Sequence, residues 1–361
     1  MEEGFLDDLN PVQRDAVTHP GGPVLVVAGA GSGKTRVLTY RIAHLIASGT
    51  SPFAMVAITF TNKAAGEMKR RVAALVGPVA EKMWVSTFHS ACVRILRREA
   101  PRLGVRSSFS IYDKADSERL IKLCMKDLNI DQKRVPPRAA LAVISDAKNK
   151  LMDAGLYSDF TSDPWERTIA EVYVEYERRL KEASAFDFDD LIMRTVEIFD
   201  RFQEVLQAYQ HRFEHVLVDE FQDTNHAQAR LATLLAGEWQ NIFVVGDVDQ
   251  GIYAFRGATI KNLLDFERDF PDASIVTLEQ NYRSTKTILD AANAVIENNV
   301  MRKPKVLWTE LGIGDPIVRY LAQNEHDEAA WVADEARRLH EEMAFPYADM
   351  AVFYRTNAQS R

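Results

Sequence analysis

Pro23-Val24-Leu25-Val26-Val27 runs directly into Ala28-Gly29-Ala30-Gly31-Ser32-Gly33-Lys34-Thr35, and that junction decides the fold. An unbroken β-branched run reads as a buried strand. Beyond the glycines, Val37, Leu38, Ile42, Leu45 and Ile46 recur at helical spacing. Strand, glycine-rich loop and helix in that order make a phosphate-binding loop. Backbone N–H groups and a helix N-terminus wrap the anion, and glycine lets the backbone come close and take positive φ. Residues Ala28, Gly29, Ala30, Gly31, Ser32 and Gly33 then cradle the phosphates of a nucleotide, Lys34 reaches the β/γ pair, and Thr35 holds Mg²⁺. The strict pattern asks for Gly at position 28, where this chain has Ala.

Further apolar runs follow, several of them leading into helical patterns. They are Met55–Phe60, Met83–Thr87, His215–Val218, Ile242–Val245 and Ser274–Leu278. Strands without polar alternation, interleaved with helices, predict a parallel α/β sheet. One segment departs from that rhythm. From about His89 to Asp190 helical periodicity dominates, with Leu120, Leu123, Cys124 and Leu128 on one face and Ile169, Val172, Tyr173, Tyr176 and Leu180 on another. It reads as an all-helical insertion. After Asn281 a new unit is expected: a helix over Ser284–Asn299, a strand at Ile317–Tyr320, a helix around Asp327–Glu342 and a strand at Met350–Tyr354. Two strands cannot close a covered parallel sheet, so this reads as the start of a second α/β domain, cut short.

The 361 residues are 47% hydrophobic and 27% charged, values of a globular chain with a sizeable core. The net charge of −8 does not advertise nucleic-acid binding, but only the local field along a groove matters. Candidate basic patches are Lys69-Arg70-Arg71, Arg97-Arg98, Lys148 with Lys150, and Arg302-Lys303; for any one of them a solvated helix or loop surface is the better reading. Two cysteines in no CxxC pair argue against disulfides and cysteine zinc sites. Met1–Asn10 is acidic and not a signal sequence, and no apolar run approaches the roughly 20 residues that span a bilayer. A cytoplasmic setting without membrane contact follows as the expectation.

The phosphate loop needs an acidic partner. Val218-Asp219-Glu220-Phe221-Gln222-Asp223 supplies one at the end of an apolar run. Asp219 takes the place of the carboxylate that meets the Mg²⁺ shell, and Glu220 that of the base or water-positioner for attack on the γ-phosphate. Alone, the Asp-Glu pair would read as a solvated loop; the preceding strand and the distant phosphate loop reverse that. After the next strand comes Gly246–Ala258, in which Gln250 can bond both water and phosphate. Tyr253 and Phe255, two apart, would face one side of an extended stretch and form a platform for bases. Periodicity alone suits two core rings at least as well.

Taken together and in order, these segments resemble the UvrD/PcrA/Rep helicases of superfamily 1A. Leu9–Arg14 resembles the Q motif, which implies that Gln13 reads the adenine edge. Ala28–Thr35 resembles motif I, with Arg36 beside the base. Thr59–Ala65 and Ser86–Ser90 resemble motifs Ia and Ib, which implies single-stranded DNA contacts at Phe60, Thr61, Asn62, Thr87 and His89. Asp219–Asn225 resembles motif II. Gly246–Ala258 resembles motif III, which adds Tyr253, Phe255 and Arg256 to the DNA contacts. Motif III usually has Trp where this chain has Phe255 and Ser where it has Gly251. Gln280–Ser284 resembles motif IV, which implies that Tyr282 stacks on adenine and Arg283 meets the γ-phosphate. Phe186–Leu191 and Tyr354–Arg361 match two further family segments.

The resemblance implies a RecA-like P-loop domain at 1–88 and 190–280, a helical insertion at 89–189, and the start of a second RecA-like domain at 281–361. It implies catalytic roles for Lys34, Asp219, Glu220, Gln250 and Arg283, ATP and Mg²⁺ as cofactors, and single-stranded DNA and its junctions with duplex as partners. The expected activity is 3′→5′ DNA translocation and unwinding. Motifs V and VI, with the arginine finger, would lie past Arg361, so these residues alone are expected to turn over poorly. An ATP- and DNA-binding module without turnover, and the helicase part of a helicase–nuclease, are the alternatives.

Overall fold

The computed structural model describes residues 4–299 and 302–360. Its strands are β1 (Val24–Ala28), β2 (Met55–Thr59), β3 (Trp84–Thr87), β4 (Ser110–Tyr112), β5 (Ala185–Asp187), β6 (His215–Val218), β7 (Ile242–Gly246) and β8 (Ser274–Leu278). Six form one sheet in the order β3-β2-β6-β7-β1-β8. Every pairing in it is parallel, so all six strands finish at one edge. The segments after β1, β2, β6 and β7 therefore open side by side, at the edge where α/β sheets bind ligands.

Alternate residues of a strand face opposite ways. Val24 and Val26 enter one core with the helices Pro11–Thr18, Lys34–Ala47 and Asn62–Val76. Leu25 and Val27 enter another with the helices Phe88–Glu99, Phe188–Arg201, Gln203–Arg212 and His226–Ala236. Leu217 and Phe243 join the first core, while Val216, Val218 and Val244 join the second. Both faces are covered, which is why these strands carry no polar alternation. Each fully buried Val, Leu or Ile contributes roughly 1.5–3 kcal/mol to holding the layers together.

A third core lies between the helices Lys114–Asp127, Pro137–Asn149 and Pro164–Glu182, built on Ile121, Cys124, Ile144, Tyr173 and Tyr176. The insertion is helical apart from one feature: β4 and β5 pair in parallel and tie its two ends together, Ser110 opposite Ala185 and Tyr112 opposite Asp187. Three residues per strand are too few to leave a periodic signal. The helix Phe88–Glu99 packs with the sheet, through Phe88, Cys92, Ile95 and Leu96.

Several members of the candidate basic patches are paired with acids. Lys148 is fully buried, its ammonium 2.7 Å from Glu177, 2.8 Å from Asp187 and 2.9 Å from Asp190. Its place on a surface patch with Lys150 is thus overturned; a lysine with three carboxylates in reach can be buried, and charge counting along the chain cannot see them. Arg70 and Arg71 pair with Glu67, and Lys303 pairs with Glu267.

The chain divides after Gly312. Residues 281–299 and 302–312 belong to the sheet-bearing unit, including the helix Lys286–Ile296. The second unit holds the helix Glu325–Met343, with Tyr320 and Trp331 stacked at 5.0 Å. The strands expected at Ile317–Tyr320 and Met350–Tyr354 are not formed. A strand exists by pairing, and neither segment meets a ladder partner among the described residues. Their apolar side chains stay exposed, Val318 at 71% and Phe353 at 94%.

Candidate functional site

The helix after β1 begins at Lys34, and its N-cap, Gly33, sits in the left-handed region (φ 92°) with no side chain to cap the first turn. The backbone amides there are left for an anion. Gly31 is also left-handed (φ 68°), and a Cβ on it would come within 2.6 Å of Asn281. A Cβ on Gly33 would come within 2.8 Å of Gln13 Nε2. Ser32 Oγ donates back to Gly29 O at 2.8 Å, which tightens the turn.

Lys34 is buried, and its ammonium donates to Glu220 Oε2 at 2.9 Å and to Gln250 Oε1 at 3.0 Å. Gln222 Nε2 donates to the same Glu220 oxygen at 2.8 Å. Gln222 Oε1 accepts the Asp247 backbone N–H at 2.9 Å, and Asp247 Oδ2 accepts from Gln250 Nε2 at 2.5 Å. These five residues close a ring of hydrogen bonds joining the segments after β1, β6 and β7. Glu220 has φ 49°, a conformation that costs a non-glycine residue about 1–3 kcal/mol and persists where the surroundings over-determine it.

Asp219 directly follows β6, buried, with Oδ1 accepting the Glu220 N–H at 3.0 Å. Burial, then the Glu220 charge, push its pKa up to about 7. A hard cation at the site would reverse that shift. Thr35 follows Lys34, half-buried, at the start of the helix. Thr35 and Asp219 offer a hydroxyl and a carboxylate, the hard oxygen donors that suit Mg²⁺ alongside phosphate oxygens and water. Among the described residues there is no cluster of three or more His, Cys, Asp or Glu that would make an all-protein cation cage.

Arg283 is exposed, with its Cβ beside Gly31. Tyr282 N donates to Gly31 O at 3.0 Å; its ring is 45% exposed and its hydroxyl accepts from Asn10 at 2.7 Å. Arg36 is exposed on the same helix as Lys34. Gln13 is buried, and its amide is engaged inside the protein, donating to Ser32 O at 2.9 Å and accepting from Asn10 N at 3.3 Å.

A groove of about 700 Å³ runs between the sheet edge and the insertion. Phe60, Thr87, His89 and Phe255 line it. Tyr253 links two of them, its ring 4.7 Å from Phe60 and 5.9 Å from Phe255. Phe255 is 77% exposed, so its ring is not a core residue. Thr61 and Asn62 are exposed at the start of the helix Asn62–Val76, outside the groove lining; Thr61 caps that helix. The Arg256 side chain lies outside the described residues. The groove lining also holds Asp113, Asp146, Asp189 and Asp223 against Lys114 and Arg138, while Asp187 there is paired with Lys148. Burial, then Asp187, push Asp189 up to about 6. Burial lowers the His89 pKa and favours a neutral ring.

Several functional positions escaped the sequence reading. Asn281 donates to Ala30 O at 2.6 Å and accepts from the backbone of Arg283 and Ser284, so it seats motif IV on the phosphate loop. An Asn two and three residues before the amides it caps is a readable signal. Gln222 and Asp247 complete the ring; they fall within the motif II and motif III segments, but nothing local shows that they meet. Leu307 covers Gly29, where a Cβ would approach it to 2.1 Å.

A parallel sheet whose glycine loop, acidic strand end and glutamine meet at one edge defines a P-loop nucleotide-binding α/β protein. Residues 9–271 match the UvrD/REP helicase N-terminal domain, and residues 276–361 match the UvrD-like helicase C-terminal domain. The chain belongs to the UvrD/REP helicase family. It is 56% identical to the ATP-dependent DNA helicase UvrD1 of Mycobacterium tuberculosis, over 99% of this chain and 48% of that protein. It is 52% identical to the ATP-dependent DNA helicase PcrA of Bacillus subtilis, over 99% and 48%, and to that of Staphylococcus aureus, over 99% and 49%. The chain thus spans about half the length of these relatives.

Proposed function

We propose that this chain carries the ATP-binding and much of the DNA-binding machinery of an ATP-dependent DNA helicase that moves 3′→5′ along single-stranded DNA. The observation that carries this is the closed ring Lys34–Glu220–Gln222–Asp247–Gln250 at the sheet edge, beside an aromatic-lined groove. The direction of movement comes from the family resemblance.

ATP places its phosphates in the 28–35 loop. Lys34 then leaves Glu220 for the β/γ-phosphates. The freed Glu220 carboxylate takes a proton from the attacking water or orients it, and the Gln250 amide bonds that water or the γ-phosphate. Thr35 and Asp219 would hold Mg²⁺, which would supply neutralisation of charge on the phosphate oxygens. Arg283, exposed beside Gly31, reaches the γ-phosphate. Tyr282 stacks on adenine with Arg36 near the base, and Gln13 reads the adenine edge by releasing Ser32.

The groove takes bases rather than phosphates. Its aromatic ladder suits stacking, worth about 1–3 kcal/mol per base, whereas its aspartates would repel the backbone. Thr61 and Asn62 stand as backbone or flanking contacts, and the family resemblance alone adds Arg256. ATP turnover by the intact protein, with and without single-stranded DNA, tests this. DNA stimulation abolished by Lys34→Ala supports it; no stimulation, with Lys34→Ala changing nothing, defeats it. For residues 1–361 alone we propose binding with slow turnover. An arginine finger is worth about 10³–10⁵ in kcat in related NTPases, and the family resemblance puts that finger in motif VI, outside residues 1–361. Motor-like rates from these residues would overturn that part.

A further inference from the structure

Lys305 lies in a stretch to which no nucleotide or DNA role is assigned, and only 6% of it is exposed. Its ammonium donates to Asp247 Oδ1 at 2.6 Å and to Asp249. Arg302 fixes the stretch, donating to Lys305 O at 2.8 Å and approaching Asp249 at 3.7 Å. Two residues past Lys305, Leu307 lies over Gly29. One short stretch thus touches both the phosphate loop and the loop after β7.

Asp247 is the pivot. It is 2% exposed, and its Oδ2 accepts from Gln250 Nε2 while Gln250 Oε1 faces the Lys34 ammonium at 3.0 Å. An amide between an ionised carboxylate and an ammonium has one satisfied orientation, NH₂ toward the acid and C=O toward the cation. Reversing it would face two donors at one end and two acceptors at the other. That logic holds only while the Asp247 carboxylate keeps its place, and Lys305 holds it there through Oδ1, together with the Asp249 backbone N–H at 3.0 Å.

We infer that Lys305 is a positioning residue for nucleotide turnover: through Asp247 it fixes the direction in which Gln250 presents its amide to Lys34 and the γ-phosphate. It never touches nucleotide. The inference rests on the proposed ATP site and adds a part to it.

The test is a double-mutant cycle in the intact protein with Lys305→Met, Gln250→Ala and the pair, measuring kcat and KM for ATP with single-stranded DNA. A fluorescent ATP analogue gives the affinity, and amide hydrogen exchange over residues 247–251 is followed without nucleotide. Loss of a charge-assisted hydrogen bond predicts a fall in kcat of roughly tenfold for Lys305→Met. Analogue affinity stays within about twofold of wild type, because the Lys305 ammonium bonds to Asp247 and Asp249 and not to the phosphate loop. The double variant is no slower than Gln250→Ala, exchange over 247–251 rises, and Lys305→Arg recovers most of the rate. Should Lys305→Met not fold, Lys305→Gln and Asp247→Asn carry the same cycle. An active wild type with unchanged kcat in Lys305→Met, or losses that multiply independently with those of Gln250→Ala, overturns the inference and leaves the ATP site standing. A wild type that neither binds the analogue nor hydrolyses ATP removes the site itself.

Discussion

Replacing Lys148 with Met tests how the insertion is fastened to the sheet-bearing core. The lysine is fully buried with Asp187 and Asp190 at 2.8 and 2.9 Å. Asp187 caps the helix Phe188–Arg201, so the ion cluster anchors the segment that returns to the sheet. Met matches the length of the lysine stem, so the packing loss is small. The electrostatic loss is not. Arg194 still reaches Asp190 at 3.2 Å, but Asp187 keeps only the Tyr176 hydroxyl and the Asp190 N–H. Breaking a buried pair by removing one partner costs about 3–5 kcal/mol.

The pH dependence gives the sign. In the wild type, burial alone would raise the Asp187 pKa, but Lys148 and its hydrogen bonds carry it below the usual carboxylate range. That contribution is present above the unfolded pKa and is lost as pH falls through the folded one. In Lys148→Met the folded pKa of Asp187 rises above the unfolded value instead. The native state then holds a proton that the unfolded chain has released, and stability falls as pH rises, by up to about 1.4 kcal/mol per pH unit for one proton. Urea unfolding of wild type and variant at pH 5 and pH 8 reads this directly. The deficit should be larger at pH 8. A deficit under about 1 kcal/mol at pH 8, or one equal at both values, would refute the assignment of a buried, charge-compensated lysine.

Three further outcomes are expected. Gly33→Ala forces a side chain into a left-handed position facing Gln13 and should cost about 1–2 kcal/mol of stability, with weaker binding of a fluorescent ATP analogue; wild-type affinity would show that the loop does not cradle phosphate. Phe255→Ala, at a 77% exposed ring, should change stability by less than about 0.5 kcal/mol yet weaken single-stranded DNA binding by about 1–3 kcal/mol, measured by anisotropy at fixed salt. Burial, then Asp187, raise Asp189 to about 6, so lowering pH from 7.5 to 5.5 protonates it, removes negative charge from the groove and tightens DNA binding. Asp189→Asn should flatten that part of the titration, and an unchanged profile would exclude Asp189 from the interface.

The sequence by itself determined the sheet, because strands buried on both faces have to be apolar throughout and because a glycine loop between strand and helix has few other uses. It also placed Asp219 and Glu220 at a strand end and Gln250 after another, since local order along the chain is enough for that. It could not rank Tyr253 and Phe255 between core and platform; spacing is the same in both, and only exposure separates them. Nor could it unmask Lys148, whose partners Glu177, Asp187 and Asp190 lie far along the chain. The strands expected after Gly312 failed for a related reason: apolar pattern proposes a strand, but pairing makes one. Tertiary structure alone decided the ring through Gln222 and Asp247, the seating of Asn281 on Ala30, and the reach of Lys305. The Gln222–Asp247, Lys305–Asp247 and Asn281–Ala30 bonds join residues 25 to 251 positions apart, and hydrogen bonds over such separations leave no periodic trace in a single chain.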